Sequence, residues 1–415
     1  MIYKINRNIL IVAGLLIIIS ILLEVLYCTY IVSNFKYYGF TLNFNWFRYI
    51  EAKILFFLFL LLLTYIYSKS RFIYLVYVIV FVWSFIPNLI LFSYMNVERS
   101  IICIIGIFLI FICFVSTIRF KLPQISLNKT STFLVLFVLP LLLFIPVFFK
   151  YIHSINLQTL LLHDIYSTRA IFTKNLTFPV SYFYFWIIKV IAPIAIIYGF
   201  THKKYLFALT GLFMMLFIFM VSGHKSVFFS IFIIVIFYLL GSTYEIKTKK
   251  ILTYILMIIL ICPLVDLVFS TKIYESIVVQ RIFFLPALLN HYYFQFFEHQ
   301  PLYLSHSILS HFIKYPYSAD PAIIIGETFF NKGNHANNGI ISDGYMNFGI
   351  IGGVVWGFLV SLILAYFNSI NIDKRYFGVI FIFILEILSS AFLTSILSSG
   401  MFLLIILSIL VLKEK

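Results

Sequence analysis

Long apolar stretches with almost no charged residues recur along the whole chain, and they constrain the fold more than any other feature. An α-helix of about 20 apolar residues is long enough to cross the hydrocarbon core of a bilayer. A membrane-spanning β-strand would be shorter and would alternate polar with apolar residues, which these stretches do not. Only 10% of the residues are charged, against about 25% in a typical soluble domain. The sequence therefore predicts an all-α polytopic membrane protein.

We predict about 12 transmembrane helices in a single integral membrane domain that covers residues 1–415. The predicted spans are 9–29, 51–67, 73–94, 101–118, 133–149, 182–200, 206–221, 227–241, 252–270, 346–368, 377–393 and 397–412. Two long loops separate some of them, at 150–181 and 271–345, and long loops in compact proteins usually carry function. In the second loop we expect the aromatic segment 277–297 to form helices that lie on the membrane surface. The alternative is that this segment is a thirteenth span.

The distribution of charge predicts the orientation of these spans. Basic residues with few acidic neighbours are concentrated in short turns, such as 203–204, 247–250 and 374–375, whereas the long loops mix both signs. Cytoplasmic turns of membrane proteins carry this excess of lysine and arginine. We therefore expect both termini in the cytoplasm and both long loops on the outer face. The net charge of +15 then reflects orientation, and no nucleic-acid partner is expected.

Two polar segments of the predicted outer face combine basic residues with turn residues. Segment 163–169 contains Arg169, whose planar guanidinium suits phosphate oxygens. The tight turn 222–226 contains Gly223 and Lys225, and a glycine there would let backbone N–H groups approach an anion. Both segments therefore predict anion binding. The alternatives are an arginine that anchors the loop to lipid headgroups and an ordinary turn with a snorkelling lysine.

Two further candidates lie in the second long loop. Arg281 interrupts an apolar stretch, and burying it unpaired would cost several kcal/mol, so we expect it to meet an anion. The segment 333–353 is rich in Gly and Asn and also carries His335, Asp343 and Tyr345. Turn geometry explains the Gly and Asn but not these three side chains. Asp343 has the alternative role of a helix N-cap, and Gly349, Gly352 and Gly353 would allow close helix packing.

Ionisable residues within the predicted spans are functional candidates by default. They are Glu24, Lys189, Asp266 and Glu386. We expect Glu24 and Asp266 to pair with basic residues of the outer face. The sequence has no phosphate-binding loop, no Asp-x-Asp pair in an outer loop and no His/Cys ligand spacing, so no metal or cofactor is expected.

These features together resemble the Wzy-type O-antigen polymerases, the bacterial oligosaccharide repeat-unit polymerases. The resemblance rests on two large outer loops with an arginine in each, Arg169 and Arg281. It also rests on the Ser-Gly-x-Lys turn at 222–225 and on the Asp-Gly-Tyr-x-Asn-Phe-Gly segment at 343–349, which leads into a late span.

The resemblance implies a GT-C-like membrane glycosyltransferase of the bacterial inner membrane with a periplasmic active site. Polymerases of this kind move a growing glycan from undecaprenyl pyrophosphate to the terminal sugar of a new lipid-linked repeat unit, and a chain-length regulator protein can be a partner. The expected site residues are Arg169, Lys225 and Arg281 for the pyrophosphate, His335 and Asp343 for acid–base catalysis, and Tyr292, Tyr293, Asn337 and Tyr345 for the sugars. Basic side chains would hold the pyrophosphate without a metal.

Two other functions fit the same layout. An O-antigen ligase would transfer the finished glycan to a lipid A core, so only the acceptor separates it from a polymerase. A flippase or other transporter of lipid-linked sugars would usually show internal repeats and a binding site near the bilayer midplane. The polar residues here are concentrated at the predicted outer face instead.

Overall fold

The computed structural model describes residues 7–123, 125, 127–241, 243–330 and 335–414. Over these residues the structure is helical, with one isolated bridge between Ile372 and Lys413 and no strand. The main helices are α1 (Arg7–Asn34), α2 (Trp46–Lys69), α3 (Arg71–Tyr94), α4 (Arg99–Phe114), α5 (Lys129–Ser154), α6 (Ile165–Asn175), α7 (Val180–Thr201), α8 (Tyr205–Ser222), α9 (Lys225–Leu239), α10 (Tyr244–Phe269), α11 (Ile273–Phe297), α12 (Pro321–Phe329), α13 (Ile340–Ile370), α14 (Phe377–Ser389) and α15 (Met401–Leu412).

Nine of these helices are long and apolar enough to cross a membrane, counted over the residues described above: α1, α2, α3, α5, α7, α8, α10, α11 and α13. Three shorter apolar helices, α4, α9 and α15, accompany them. Such helices suit lipid because each satisfies its backbone hydrogen bonds internally. The prediction of an all-α polytopic membrane protein is confirmed at this level, and each predicted span coincides with a helix. The number of about 12 spans stays a prediction.

Helix α11 covers the aromatic segment of the second long loop. We expected several surface-lying helices there, whereas the structure has one continuous helix of 25 residues with the length and composition of a span. A lying helix and a thirteenth span are both compatible with that length, so the two alternatives stay predictions.

The chain divides into two compact units, each built from segments that are distant in sequence. Unit 1 comprises residues 1–120, 244–368 and 387–392, and unit 2 comprises 121–243, 369–386 and 393–415. Among the candidate spans of unit 1, α3 is the most enclosed. In its most apolar stretch 89% of the residues are buried, whereas the same share in α2 is only 22%. Helix α3 therefore forms the centre of unit 1, and α2 presents most of its surface outward.

Helix α13 is broken near its start. Phe348 (φ −141°, ψ 20°) and Gly349 (φ 62°, ψ −149°) leave the helical region and divide it into 340–347 and 350–370. The backbone conformation at Gly349 is one that glycine alone adopts readily. The predicted span 346–368 therefore contains this break, and its long helical segment begins at 350. The segment before it is a separate short helix whose last carbonyls accept hydrogen bonds from the backbone of Leu302 and Tyr303.

Glycines around the break allow close packing within unit 1, as predicted for Gly352 and Gly353. A Cβ at Gly352 would lie 2.0 Å from the carbonyl oxygen of Gly344, and one at Gly353 would lie 2.7 Å from the side chain of Ile104 on α4. Gly349 differs, because a Cβ there would meet nothing within 4 Å. Its requirement is for backbone conformation rather than for space.

In unit 2, α7 and α8 form a tightly packed antiparallel pair. A Cβ at Gly199 would lie 2.5 Å from the backbone nitrogen of Ala208, and one at Gly211 would lie 2.8 Å from the carbonyl oxygen of Ala192. Small residues let apolar helices approach in this way and gain dispersion contacts where water offers no driving force. Helix α8 of this pair ends at Ser222, and the turn to α9 follows it.

Candidate functional site

Two of the predicted pyrophosphate ligands meet in unit 2, around one exposed tyrosine. The Arg169 guanidinium carbon lies 5.8 Å and the Lys225 Nζ lies 5.5 Å from the centroid of the Tyr166 ring. Arg169 Nη2 also donates to the carbonyl oxygen of Gly223 at 3.2 Å. We call Arg169, Lys225 and Tyr166 the cationic cluster. Its two cations come from helices far apart in sequence.

The cationic cluster lacks a counter-ion. Among the described residues, neither Arg169 nor Lys225 forms an ion pair. Arg169 Nε is buried and has no hydrogen-bond partner. Helix α9 begins at Lys225 without a side-chain cap, so its first N–H groups and its positive end add to the local potential. Like charges held together in this way are stabilised by an anion, and the guanidinium retains an unused donor for one.

The neighbouring His224 does not add a third positive charge. Burial, and secondarily the charge of Arg169, lower its pKa to about 4. The imidazole is therefore neutral at physiological pH and lies against the rings of Phe172 and Tyr184. The charge available to an anion in this turn comes from Arg169 and Lys225.

Gly223 brings the two parts of the cationic cluster together. It ends α8 with φ +60°, and a Cβ at this position would lie 2.6 Å from the carbonyl oxygen of Ile165 on α6. A larger residue would push the loop that carries Arg169 away from the turn that carries Lys225. The sequence suggested a glycine that lets backbone approach an anion, whereas the structure shows one that lets two backbone segments approach each other.

Arg281, the third predicted pyrophosphate ligand, belongs to unit 1. Its side chain is exposed, while its neighbours Val279, Gln280 and Phe283 are buried. The helix turns Arg281 outward from the apolar stretch, so the arginine is not buried. The cost of burying an unpaired charge therefore gives no reason for an anion at this position.

Both predicted acid–base residues lie in unit 1, in different surroundings. His335 is exposed, as is the predicted sugar ligand Asn337. Between them Ala336 is held by a backbone hydrogen bond to Ala322, 2.9 Å long. His335 and Asn337 thus lie on a tethered surface segment where they can meet a substrate. Their roles stay predictions.

Asp343, by contrast, is only 5% exposed, and both of its oxygens are occupied. Oδ2 accepts from the backbone N–H of Phe392 at 2.9 Å, and Oδ1 accepts from Asn347 Nδ2 at 3.1 Å. The carboxylate therefore caps backbone near the end of α14 and not the N-terminus of its own helix, which starts at Ile340. With both oxygens bound by protein donors, the predicted role as a catalytic base is not supported.

Tyr292 is a packing residue. Its ring stacks on Phe329 with centroids 4.1 Å apart, and its hydroxyl donates to the carbonyl oxygen of Tyr38 at 2.6 Å. The next residue, Gly39, has to be a glycine because a Cβ there would collide with the Tyr292 hydroxyl. The structure therefore does not support stacking of a sugar on this ring.

The other two tyrosines predicted to bind sugar are also buried. Tyr293 is 4% exposed and donates to the carbonyl oxygen of Ala336 at 2.9 Å. Tyr345 is 9% exposed and stacks on Phe294 with centroids 3.6 Å apart. Both rings are used within the protein. Through its hydrogen bond to Ala336, Tyr293 supports the segment that carries His335.

Asn338 of the Gly/Asn-rich segment belongs to a buried network that sequence reasoning missed. Asn338 Nδ2 donates to Ser342 Oγ at 2.7 Å and to Asn290 Oδ1 at 2.9 Å, and Asn290 Nδ2 donates to Asn88 Oδ1 at 3.3 Å. Fully paired buried polar groups favour one arrangement over alternatives. This network joins α3, α11 and the start of α13 inside unit 1.

A pair of carboxyl groups in unit 1 was also missed. Glu98 is half-buried at the start of α4, and its Oε1 lies 3.8 Å from His291 Nδ1. Burial, and secondarily the charge of Glu298, raise the pKa of Glu98 to about 7. A carboxyl with this pKa exchanges its proton near neutral pH, as a general base must. The only sequence signal was two glutamates directly bordering apolar segments, which is also common in ordinary loops.

The charges within the predicted spans have defined partners. Glu24 pairs with Lys53 at 2.5 Å, which confirms the expected pairing with a basic residue. Asp266 forms no ion pair with a basic residue in the part of the chain that the structure describes. It accepts from the Thr271 hydroxyl and from the backbone N–H of Glu275 at 2.5 and 2.7 Å. It caps the start of α11.

Within the part of the chain that the structure describes, no group of three or more His, Cys, Asp or Glu side chains could hold a metal ion. Comparisons of the chain with protein-family models, with curated proteins and with solved structures found no match. The function must therefore be inferred from the residues of this chain and their geometry.

Proposed function

We propose that the chain is an O-antigen polymerase of the Wzy type with a GT-C-like fold. It would join undecaprenyl-pyrophosphate-linked repeat units of O-antigen, or of a similar surface polysaccharide, at the periplasmic face of the bacterial inner membrane. The observation that carries the proposal is the cationic cluster, whose two cations form no ion pair with any residue that the structure describes and lie beside a helix N-terminus. Nine helices within the described residues are long and apolar enough to cross a membrane. The residues that resemble the family include both cations.

The chemistry of the proposed reaction needs positive charge more than it needs a general acid. The bond between the anomeric carbon and the lipid pyrophosphate breaks, and the pyrophosphate leaves with the electron pair. Fixed donors that meet the charge as it develops on the leaving oxygen lower the barrier. Arg169 would bind two oxygens with its planar fork, and Lys225 would act as a point charge. Neither requires a metal.

The reaction also needs a group that takes the proton from the acceptor hydroxyl as its oxygen bonds to the anomeric carbon. Within unit 1, Glu98 is a candidate for this role, since it is half-buried, lies 3.8 Å from His291 Nδ1 and has a pKa that burial raises to about 7. His335 stays a second candidate because it is exposed. Arg281 would add charge for the pyrophosphate of one of the two lipid-linked substrates.

The first experiment is deletion of the gene in its host, followed by gel analysis of lipopolysaccharide and of lipid-linked intermediates. A polymerase defect removes the long ladder but leaves the band of core plus one repeat unit. Loss of every O-chain with accumulation of lipid-linked polymer would instead indicate a ligase. Single lipid-linked units trapped on the cytoplasmic face would indicate a flippase. An unchanged ladder would refute all three.

The second experiment tests the cationic cluster by complementation of the deletion strain. Arg169→Ala should leave only the band of core plus one unit, and Arg169→Lys should restore short chains at most, because lysine cannot bind two oxygens with a fork. The matched control is Lys174→Ala, which removes an exposed cation from the same helix. Membrane levels of each variant are measured by immunoblot. A normal ladder from Arg169→Ala would contradict the assignment.

A further inference from the structure

Two hollows on the outer surface of unit 1 meet at one polar edge. The first lies between α1 and α2, has a volume of about 480 Å³ and is lined by apolar residues such as Ile17, Ile21 and Phe56. The second runs along α2, has the same volume of about 480 Å³ and is lined by residues such as Leu58. Tyr49, Lys53 and Phe57 line both hollows. The hollows therefore lie on either side of one ridge.

The shared edge carries one positive and one negative charge. Lys53 Nζ lies 2.5 Å from Glu24 Oε2, and the Tyr94 hydroxyl donates to the other oxygen of Glu24 at 2.6 Å. The Lys53 side chain is 31% exposed, and Glu24 is its one acidic partner among the described residues. An ammonium group has three donors, so others remain for a ligand. Glu24 is 12% exposed and opens into the first hollow. The edge is therefore neutral overall but strongly dipolar.

Aromatic residues place this edge near the membrane–water boundary. Lys53 lies two helical turns after Trp46, where α2 begins, and Trp46 is 60% exposed. Tryptophan and tyrosine gather at the level of lipid headgroups, and a lysine slightly deeper extends its ammonium group toward that level. Below the edge, the exposed residues of both hollows are aliphatic or aromatic. Polar groups thus stand at one end and apolar walls extend from it.

We infer that the two hollows bind one diacyl phospholipid with a zwitterionic headgroup, one chain in each hollow. The headgroup phosphate would accept from Lys53, and its ammonium group would donate to Glu24. Two separate hollows of equal volume suit two chains joined at one head. A mixed pair of charges suits a headgroup that also carries both signs, of the phosphatidylethanolamine type.

The same features argue against a polyprenyl pyrophosphate at this position. Its single chain would fill one hollow and leave the other empty, and its several negative charges would face the Glu24 carboxylate. An anionic phospholipid would meet the same repulsion without an ammonium group to offset it. This lipid site is therefore separate from the cationic cluster, and its test does not depend on glycan transfer.

The test measures the lipid retained by the purified protein in mild detergent, using native mass spectrometry with phosphatidylethanolamine, phosphatidylglycerol or undecaprenyl phosphate added in turn. Ile21→Trp and Leu58→Trp each fill one hollow without touching the ion pair. Each should lower retention of phosphatidylethanolamine roughly tenfold, which corresponds to about 1.4 kcal/mol. The matched control is Ile18→Trp, at an exposed position of α1 that does not line the first hollow.

A second variant tests the headgroup. Glu24→Gln removes the negative charge but keeps a similar shape, so the preference for phosphatidylethanolamine over phosphatidylglycerol should disappear while a phospholipid is still retained. Three results would overturn the inference. They are equal retention by Ile21→Trp and Ile18→Trp, equal retention of both phospholipids by the unaltered protein, and tighter retention of undecaprenyl phosphate than of either.

Discussion

Removing one member of the ion pair between Lys189 and Glu386 should destabilise unit 2 strongly. Lys189 Nζ on α7 lies 2.7 Å from Glu386 Oε1 on α14, and the two side chains are only 20% and 15% exposed. Ser399 completes the arrangement, since its hydroxyl accepts from Lys189 Nζ at 2.9 Å and donates to Glu386 Oε1 at 2.5 Å. The surrounding walls are apolar, with Val190, Phe383 and Leu404 among them.

The magnitude follows from what each substitution leaves behind. Lys189→Met leaves the Glu386 carboxylate without its ammonium partner, and Glu386→Leu leaves the ammonium without its carboxylate. Breaking a buried pair in this way costs about 3–5 kcal/mol. The ratio of folded to unfolded protein should therefore fall by a factor of roughly 150 to 5,000 for either single variant. Ser399→Ala removes a neutral group and should cost about 1–3 kcal/mol.

The double variant, Lys189→Met with Glu386→Leu, separates charge compensation from packing. It leaves no charge behind and fills the site with apolar groups of similar length, so its stability should return to within about 1 kcal/mol of the unaltered protein. The coupling free energy between the two positions should then be several kcal/mol, far above the few tenths expected for independent sites.

The assay is reversible unfolding of the purified protein in detergent micelles, followed by intrinsic fluorescence and by circular dichroism. Lys204→Met is the matched control, because Lys204 is exposed in the turn that follows α7. If the double variant is as unstable as the sum of the single variants, charge compensation is not what these residues supply. Single variants that unfold like Lys204→Met would refute the reasoning outright.

Three further predictions concern unit 1. Because burial raises the pKa of Glu98 to about 7 and only the deprotonated carboxylate can take a proton, glycan transfer in vitro should increase with pH through about 7. Glu98→Gln should abolish this inflection, and its persistence in that variant would exclude Glu98 as the base. Gly349→Ala should cost about 1–3 kcal/mol in the same unfolding assay through backbone conformation alone, since a Cβ there meets nothing within 4 Å. Asp343→Asn should lower stability but leave the rate per folded molecule unchanged, and a lost rate in stable protein would restore its catalytic role.

The positions of the helices could be predicted because they depend on local composition. An apolar stretch long enough to cross a bilayer becomes a helix wherever the rest of the chain lies. The break at Phe348 and Gly349 could not be predicted in the same way, because the segment 333–353 suggested a loop followed directly by a span. The short helix before the break ends in carbonyls that accept hydrogen bonds from the backbone of Leu302 and Tyr303. Because these donors come from a distant part of the sequence, local composition gives no sign of the break.

Which charged residues pair in the folded protein was predictable only where few residues of opposite charge were available. Glu24 was expected to pair with a basic residue of the outer face, and Lys53 fulfils this. Lys189 and Glu386 were recognised separately as charges within spans but not as a pair, because nothing in either segment indicates the other. The cationic cluster lies between these cases, since Arg169 and Lys225 were each assigned to an anion before the structure brought them to one ring.

From the sequence, candidate site residues could be chosen only by residue type. The structure also shows which of their hydrogen-bond donors and acceptors are already paired within the protein. Asp343 is a carboxylate at the predicted face, yet it is buried and protein donors hold both of its oxygens, so it is not presented to a substrate. Arg169 uses one donor on Gly223 and keeps a buried Nε without a partner. An unmet hydrogen-bonding group inside a protein carries a free-energy cost, and a bound anion would offset that cost at Arg169. That difference, rather than residue type, is the reason to place the anion at Arg169 and to seek the base elsewhere than at Asp343.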